Sequence, residues 1–298
     1  MTDSANTAPA PAPNLASPRA VAELLARIGA APKKALGQNF LIDGNTLAHI
    51  ADAAQLSPAS KILEVGPGLG ALTERLLPRC ASLLAIEKDP ILAAYLRARF
   101  AAEPRLQIRE ADALDCGLPA IFATGQADSM VSNLPYSVGT RVVVEATLGA
   151  VPPASMTLLL QKEVADRFAA APKTSDYGAL SIWLQSLYEV RTVRKVPPTC
   201  FHPPPEVVSA VVTLRLRAGA GQDWARDHAL RRHLHALSKT AFLNRRKQLA
   251  SSMRSASGGL ARDADFIRRA LAAANAPPSA RPEELDVPQW IALAQLWR

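Results

Sequence analysis

The chain has 298 residues, 49% of them apolar and 20% charged, enough to bury the core of one large domain and one small one. Charge or proline cuts its apolar runs short of the roughly 20 residues that a membrane span needs, so no membrane association is expected. Cys80, Cys116 and Cys200 are odd in number, far apart and form no CxxC pair; a disulfide scaffold is excluded, and a reducing cytosol fits.

The first 18 residues are rich in Ala and Pro, with one acid and no base. They lack the basic start and unbroken apolar core of a secretory signal, so a disordered tail is predicted over 1–18. Val21, Leu24, Leu25 and Ile28 have helical spacing, and Gly29 closes that pattern. The loop Lys33–Leu41 follows, then a second helix over 44–56. Short apolar runs come next, at Lys61–Val65, Ser82–Ile86, Leu106–Ile108, Ser129–Ser132 and Met156–Leu160, with helical stretches such as Ala71–Leu77 and Pro90–Ala101 between them. This alternation predicts an α/β fold with a doubly wound, mostly parallel sheet. Val190–Val196 and Val207–Leu216, joined by a proline-rich turn, are close enough to pair antiparallel at its edge.

Ala218-Gly219-Ala220-Gly221 reads as a linker. The helical remainder, broken at Gly258-Gly259 and Pro277-Pro278, predicts a small all-helical domain over 222–298, beside a larger one over 19–217. Residues 1–219 carry 21 Lys/Arg against 19 Asp/Glu, and residues 220–298 carry 13 against 7. The basic C-terminal quarter suits a polyanion such as nucleic acid, although a solvated helical surface accounts for charge alone. His233 and His235, two apart on a predicted helix, point to different faces, and no metal site is expected.

Glu64-Val65-Gly66-Pro67-Gly68-Leu69-Gly70 follows the first strand of the alternating series and opens a helix. Glycines there let the backbone turn sharply and approach a ligand. The loop alone fits a dinucleotide or S-adenosylmethionine, since Gly66-x-Gly68-x-x-Ala71 also meets the relaxed dinucleotide pattern. Glu87, ending the next strand, can accept from both ribose hydroxyls of either cofactor. Asp112, ending the third, can accept from an adenine amino group.

Asn133-Leu134-Pro135-Tyr136 stands at the carboxyl end of the fourth strand, on the rim where doubly wound folds bind ligands. It resembles the (D/N/S)PP(Y/F/W) motif of methyltransferases acting on amino groups conjugated to a planar ring. The lone pair of adenine N6 is delocalised into the ring and attacks poorly. Two acceptors, expected to be the Asn133 side-chain oxygen and the Pro135 carbonyl, can hold the nitrogen pyramidal and stabilise its developing positive charge. Tyr136 offers a face for an extruded base. No strong general base is needed, because an alkylated N6 loses its proton readily to water.

From Lys34 to about Ala292 the sequence resembles the ribosomal RNA adenine N6,N6-dimethyltransferases, most closely the bacterial small-subunit (16S) family. The resemblance is carried by Lys34–Leu41, Glu64–Glu74, Asn133–Tyr136, Gln161–Arg167, Tyr177–Ser181, Pro197–Pro205 and Phe242–Lys247. It implies a Rossmann-like methyltransferase sheet and S-adenosylmethionine contacts at Asn39, Leu41, Gly66, Glu87, Asp112 and Asn133. It implies that Phe201 stacks on the target adenine opposite Tyr136, and that Arg245, Arg246 and Lys247 grip RNA. The implied partner is small-subunit ribosomal RNA in the assembling small subunit, met by a cytoplasmic monomer. A large-subunit methyltransferase conferring macrolide resistance ranks second, since the Phe201 turn and Arg281–Leu285 match the small-subunit enzymes better. A non-catalytic assembly factor and a nicotinamide dehydrogenase are the remaining alternatives; the dehydrogenase leaves Asn133–Tyr136 unexplained.

Overall fold

Ser17 opens the first helix: its hydroxyl accepts from the Ala20 N–H at 3.1 Å, ahead of a proline whose fixed φ suits the first turn. The computed structural model describes residues 15–33, 36–217, 227–254 and 256–298. Helix α1 (Pro18–Arg27) buries the stripe Val21, Leu24 and Leu25. Leu15 is buried against the same residues. The last residues of the tail expected over 1–18 are therefore packed, and residues 1–14 lie outside the described residues.

Strand β1 (Phe40–Leu41) and helix α2 (Gly44–Ala53), capped by the Asp43 carboxylate on Thr46 N–H at 2.7 Å, precede the alternating series. That series is β2 (Lys61–Val65), α3 (Ala71–Leu76), β3 (Ser82–Glu87), α4 (Pro90–Arg99), β4 (Leu106–Glu110), α5 (Leu118–Ala123), β5 (Ser129–Asn133), α6 (Gly139–Thr147) and β6 (Ser155–Gln161). The five parallel strands lie in the order β4-β3-β2-β5-β6. The central strands are buried without alternation, as in a sheet covered on both faces. Chain direction across the sheet reverses between β2 and β5, which opens a crevice at their carboxyl ends.

Helices α7 (Lys162–Ala169) and α8 (Ala179–Leu187) lead to β7 (Tyr188–Val196), β8 (Phe201–His202) and β9 (Ser209–Leu216). Strand β9 pairs antiparallel with β6, and β7 with β9 at the sheet edge, the antiparallel pair expected there. Strand β1 pairs with β8, Leu41 opposite Phe201, a pairing that was not expected. Two residues have no readable periodicity.

The described residues beyond 226 form helices α9 (His228–Phe242), α10 (Leu249–Met253), α11 (Ala264–Ala273) and α12 (Val287–Trp297). The linker expected at 218–221 lies outside the described residues. No apolar boundary separates these helices from the sheet. One core cluster runs from Leu63 and Leu158 through Trp183 and Leu234 to Trp290 and Trp297. Polar contacts follow the same path. Arg231, fully buried, donates to the Gly149 and Ala150 carbonyls at 2.8 and 2.9 Å, just past the end of α6. A ring nitrogen of His228 meets the Leu148 carbonyl there at 2.8 Å, so α9 supplies partners for carbonyls that a helix end leaves unpaired. Among the described residues, no helix is long and apolar enough to cross a membrane.

The buried Tyr177 hydroxyl donates to the Leu285 carbonyl at 2.8 Å, tying the two parts together. Tyr177→Phe is predicted to lower stability by about 1–2 kcal/mol while urea unfolding, followed by tryptophan fluorescence, stays a single transition. A separate, earlier transition would contradict the shared core.

Candidate active site at the switch point

The turn after β2 is built from backbone that ordinary side chains avoid. Gly66, Gly68 and Gly70 have φ of 70°, 60° and 80°. Space is short as well. A Cβ on Gly66 would lie 3.1 Å from Cγ of Pro135, and one on Gly68 would lie 3.1 Å from Cε1 of Phe40. The loop is thus wedged between the Asn133–Tyr136 segment and the chain entering β1.

The resulting cleft encloses about 1160 Å³, part of it open to solvent, and is lined by all six expected cofactor contacts: Asn39, Leu41, Gly66, Glu87, Asp112 and Asn133. Leu134, Pro135 and Tyr136 line it too. Glu87 is buried, and its carboxylate accepts from the Gly68 N–H at 3.0 Å and the Asp89 N–H at 2.9 Å. Burial raises its pKa, and those two bonds oppose the rise. Asp112 accepts from Lys88 Nζ at 2.7 Å and from the Leu114 N–H at 2.9 Å. The Lys88 bond holds its carboxyl below the usual range. Asp89 is buried; burial works against its ionisation, but Lys33 at 2.7 Å, with the Ile91 N–H and Gln38, keeps its pKa low. This ties the loop before β1 to the end of β3.

Glu64 was read from the sequence only as part of the loop. The structure makes it a site residue: it is 1% exposed and lines the cleft. The only hydrogen-bond partner of its side chain among the described residues is the Thr73 hydroxyl, at 2.7 Å. The sequence signal was available, an acid where a strand enters a phosphate-type turn, but its burial was not.

Asn133 ends β5 with its side-chain nitrogen donating to the Asn39 carbonyl at 3.3 Å. A carbonyl can only accept, so this contact assigns the amide orientation and leaves Oδ1 toward other partners. Pro135 departs from expectation. Its carbonyl accepts from the Val138 N–H at 3.2 Å and the Gly139 N–H at 2.9 Å, the turn that starts α6, so both its lone pairs are engaged. The Leu134 carbonyl accepts no hydrogen bond among the described residues. The Tyr136 hydroxyl bonds the Ser209 hydroxyl at the start of β9, which fixes the ring, and burial raises the Tyr136 pKa.

Two expected residues are placed elsewhere. Phe201 is 2% exposed, packs with Leu41, Ile50 and Val211, and does not line the cleft. Paired with β1, Phe201 lies in the core and is not among the residues that line the cleft with Tyr136. Arg245 is spent on structure: it pairs with Glu283 and donates to the Ser175 and Thr174 carbonyls at 2.6 and 2.8 Å. Arg246 and Lys247 are exposed, and their side chains make no hydrogen bond or ion pair among the described residues.

The donor set distinguishes the two cofactors that the loop alone left open. A dinucleotide pyrophosphate would bring negative charge to a turn that already holds the buried carboxyls of Glu64 and Glu87. Lys88, Lys33 and Arg99, cations beside it, are paired with Asp112, Asp89 and Glu74. S-adenosylmethionine is cationic at its methionine end and offers ribose hydroxyls to acceptors, so the residues fit it. A switch-point cleft of this chemistry, beside an amide-bearing Asn-Leu-Pro-Tyr loop, defines a Rossmann-like, S-adenosylmethionine-dependent methyltransferase.

The sequence profile described as "Ribosomal RNA adenine dimethylase" matches residues 29–283. The chain belongs to that family. It is 38% identical to the Ribosomal RNA small subunit methyltransferase A of Geobacter metallireducens, over 90% of this chain and 96% of that one. It is 41% identical to the protein of the same name from Caulobacter vibrioides, over 88% and 96%. Among solved structures, the 23S rRNA methyltransferase ErmE is similar with a TM-score of 0.62 and 28% identity, over 87% of this chain and 99% of that one. A dimethyladenosine transferase from Plasmodium falciparum shares the fold, with a TM-score of 0.68 at 22% identity over 85% and 95%.

Gly66→Ala would force a side chain into left-handed backbone and against Pro135. Strain of roughly 1–2 kcal/mol predicts a loss of cofactor affinity of about tenfold or more in calorimetric titration, with the far-ultraviolet circular dichroism unchanged. Unaltered affinity would show that the turn does not govern the site.

Proposed function

We propose that this protein transfers methyl groups from S-adenosylmethionine to N6 of adenosines, two adjacent ones near the 3′ end of small-subunit ribosomal RNA, in the cytoplasm during ribosome assembly. The observation that carries the chemistry is the orientation of Asn133, whose amide nitrogen is held by the Asn39 carbonyl so that Oδ1 can accept an N6 hydrogen. The second acceptor is the Leu134 carbonyl, which the turn into α6 leaves unengaged; this replaces the Pro135 carbonyl expected from sequence. Together they localise the N6 lone pair and stabilise the charge that develops on it. When bound, the cofactor supplies an electrophilic methyl group. Tyr136, braced by Ser209, provides the face on which a flipped adenine stacks. Stacking by Phe201 would require its segment to leave the core, so Tyr136 is the platform ready before RNA arrives.

The choice of small-subunit RNA rests on the likeness to the curated small-subunit enzymes. The likeness to the large-subunit enzyme ErmE is the specific observation favouring the second reading. Arg246 and Lys247, exposed beside a Leu243 that is 76% exposed, supply phosphate contacts that position RNA without reading its sequence.

Methyl transfer from labelled cofactor to small subunits lacking the modification, with nucleoside analysis, tests the proposal. N6,N6-dimethyladenosine is predicted with the natural chain. Asn133→Ala is predicted to lower the rate roughly a hundred- to a thousandfold with RNA affinity retained. Transfer to naked large-subunit RNA alone would establish the second reading, and tight binding without transfer would establish an assembly factor. Arg246→Ala with Lys247→Ala is predicted to reduce the slope of log affinity against log salt by about 1–2. Arg245→Ala should instead lower thermal stability and leave that slope nearly unchanged.

A further inference from the structure

A carboxyl at the floor of a cofactor cleft, away from solvent and without a cation, is in an unusual position. Glu64 is the penultimate residue of β2, two before Gly66; it is 1% exposed and lines the cleft. One oxygen accepts from the Thr73 hydroxyl on α3 at 2.7 Å; the other has no partner among the described residues. The ionisable groups that act on it are Glu87, from the neighbouring strand β3, and Cys80, beyond α3. Both are acids, and neither can neutralise a carboxylate. Strand β5, on the other side of β2, contributes Ser132 and Asn133, which are uncharged; the Ser132 hydroxyl is taken up by the Val65 N–H at 2.8 Å.

Left ionised, this group would be a buried charge lacking a counter-ion, an arrangement that costs several kcal/mol and is relieved by taking up a proton. Burial accordingly pushes the Glu64 pKa up to about 8; the Thr73 bond offsets part of the rise and the Glu87 charge adds to it. A ligand cation arriving in the same cleft removes the reason for the proton.

We propose that Glu64 stands as a neutral acid in the free protein and ionises when the cofactor binds, becoming the counter-ion of the cofactor's cationic methionine end and releasing its proton to solvent. This deepens the methyltransferase reading and rests on it. The cation is either the sulfonium or the α-ammonium group, and both call for the same carboxylate.

The sign follows from linkage. The free form holds a proton below pH 8 that the complex does not, so binding is opposed by acid. Affinity should fall about tenfold for each pH unit below 8, until the lower pKa of the complex is reached. Glu64→Gln keeps an acceptor for Thr73 but cannot ionise.

The test is calorimetric titration of the full-length protein with S-adenosylmethionine at pH 7, in two buffers of different ionisation enthalpy, repeated from pH 6 to 8.5. The natural chain is expected to release close to one proton. Glu64→Gln is expected to release none and to show a flat pH profile, whereas Glu87→Gln keeps the release. S-adenosylhomocysteine, which lacks the sulfonium but keeps the ammonium, assigns the cation: release retained points to the ammonium, release lost to the sulfonium. Tight binding with no proton release by the natural chain would overturn the proposal and leave the methyltransferase reading standing. Release that persists in Glu64→Gln and vanishes in Glu87→Gln would also overturn it, giving the role to Glu87. No binding at all would overturn both. If Glu64→Gln fails to fold, the proton count and pH profile of the natural chain with Glu87→Gln still decide between these outcomes.

Discussion

The site depends on the absence of a side chain at Gly66. Because nothing projects from that residue, the turn after β2 can lie against the Pro135 ring, where a Cβ would already stand at 3.1 Å. The loop that receives a cofactor and the loop that presents Asn133 are therefore in contact. In methyl transfer much of the rate comes from holding two reactants in line, and in the proposed reaction this contact would set the separation between donor and acceptor. The crossover between β2 and β5 makes it possible, since both loops leave the same edge of the sheet from neighbouring strands.

Around that contact the fold is arranged to limit movement. The Asn39 carbonyl sets the Asn133 amide, Gln38 and Lys33 tie the same loop to Asp89, and Phe40 closes over Gly68. On the other side, α6 starts from the Pro135 carbonyl and ends under His228 and Arg231 of α9. The helical C-terminal part is thus joined through one helix to the Asn133–Tyr136 loop, and its core is continuous with the core under the sheet. Arg245, which the sequence suggested for RNA, belongs to this joint.

The parallel part of the sheet was legible because short apolar runs such as Ser82–Ile86 and Met156–Leu160 alternate with helical patterns. Glu87, Asp112 and Asn133 were legible because each ends such a run, and strand ends at a switch point face one crevice. What the sequence hid was set by partners distant in the chain. The ring of Phe201 lies in the core because β8 pairs with β1, some 160 residues away. The Pro135 carbonyl is unavailable because it accepts from the Val138 and Gly139 N–H groups where α6 begins. Arg245 looks like its neighbours Arg246 and Lys247 until Glu283 and the carbonyls of Thr174 and Ser175 are brought beside it. Glu64 reads as a loop acid, and only the packed strands around it make it a buried one.

The most direct measurement of the central claim, that the two loops hold donor and acceptor side by side, is a crystal structure with S-adenosylhomocysteine and adenosine bound together. The account predicts adenine N6 within hydrogen-bonding distance, about 3 Å, of both Asn133 Oδ1 and the Leu134 carbonyl, with the base against Tyr136 and the cofactor sulfur facing N6 across Gly66. An adenine bound away from Asn133, or a cofactor whose sulfur points away from that loop, would contradict it.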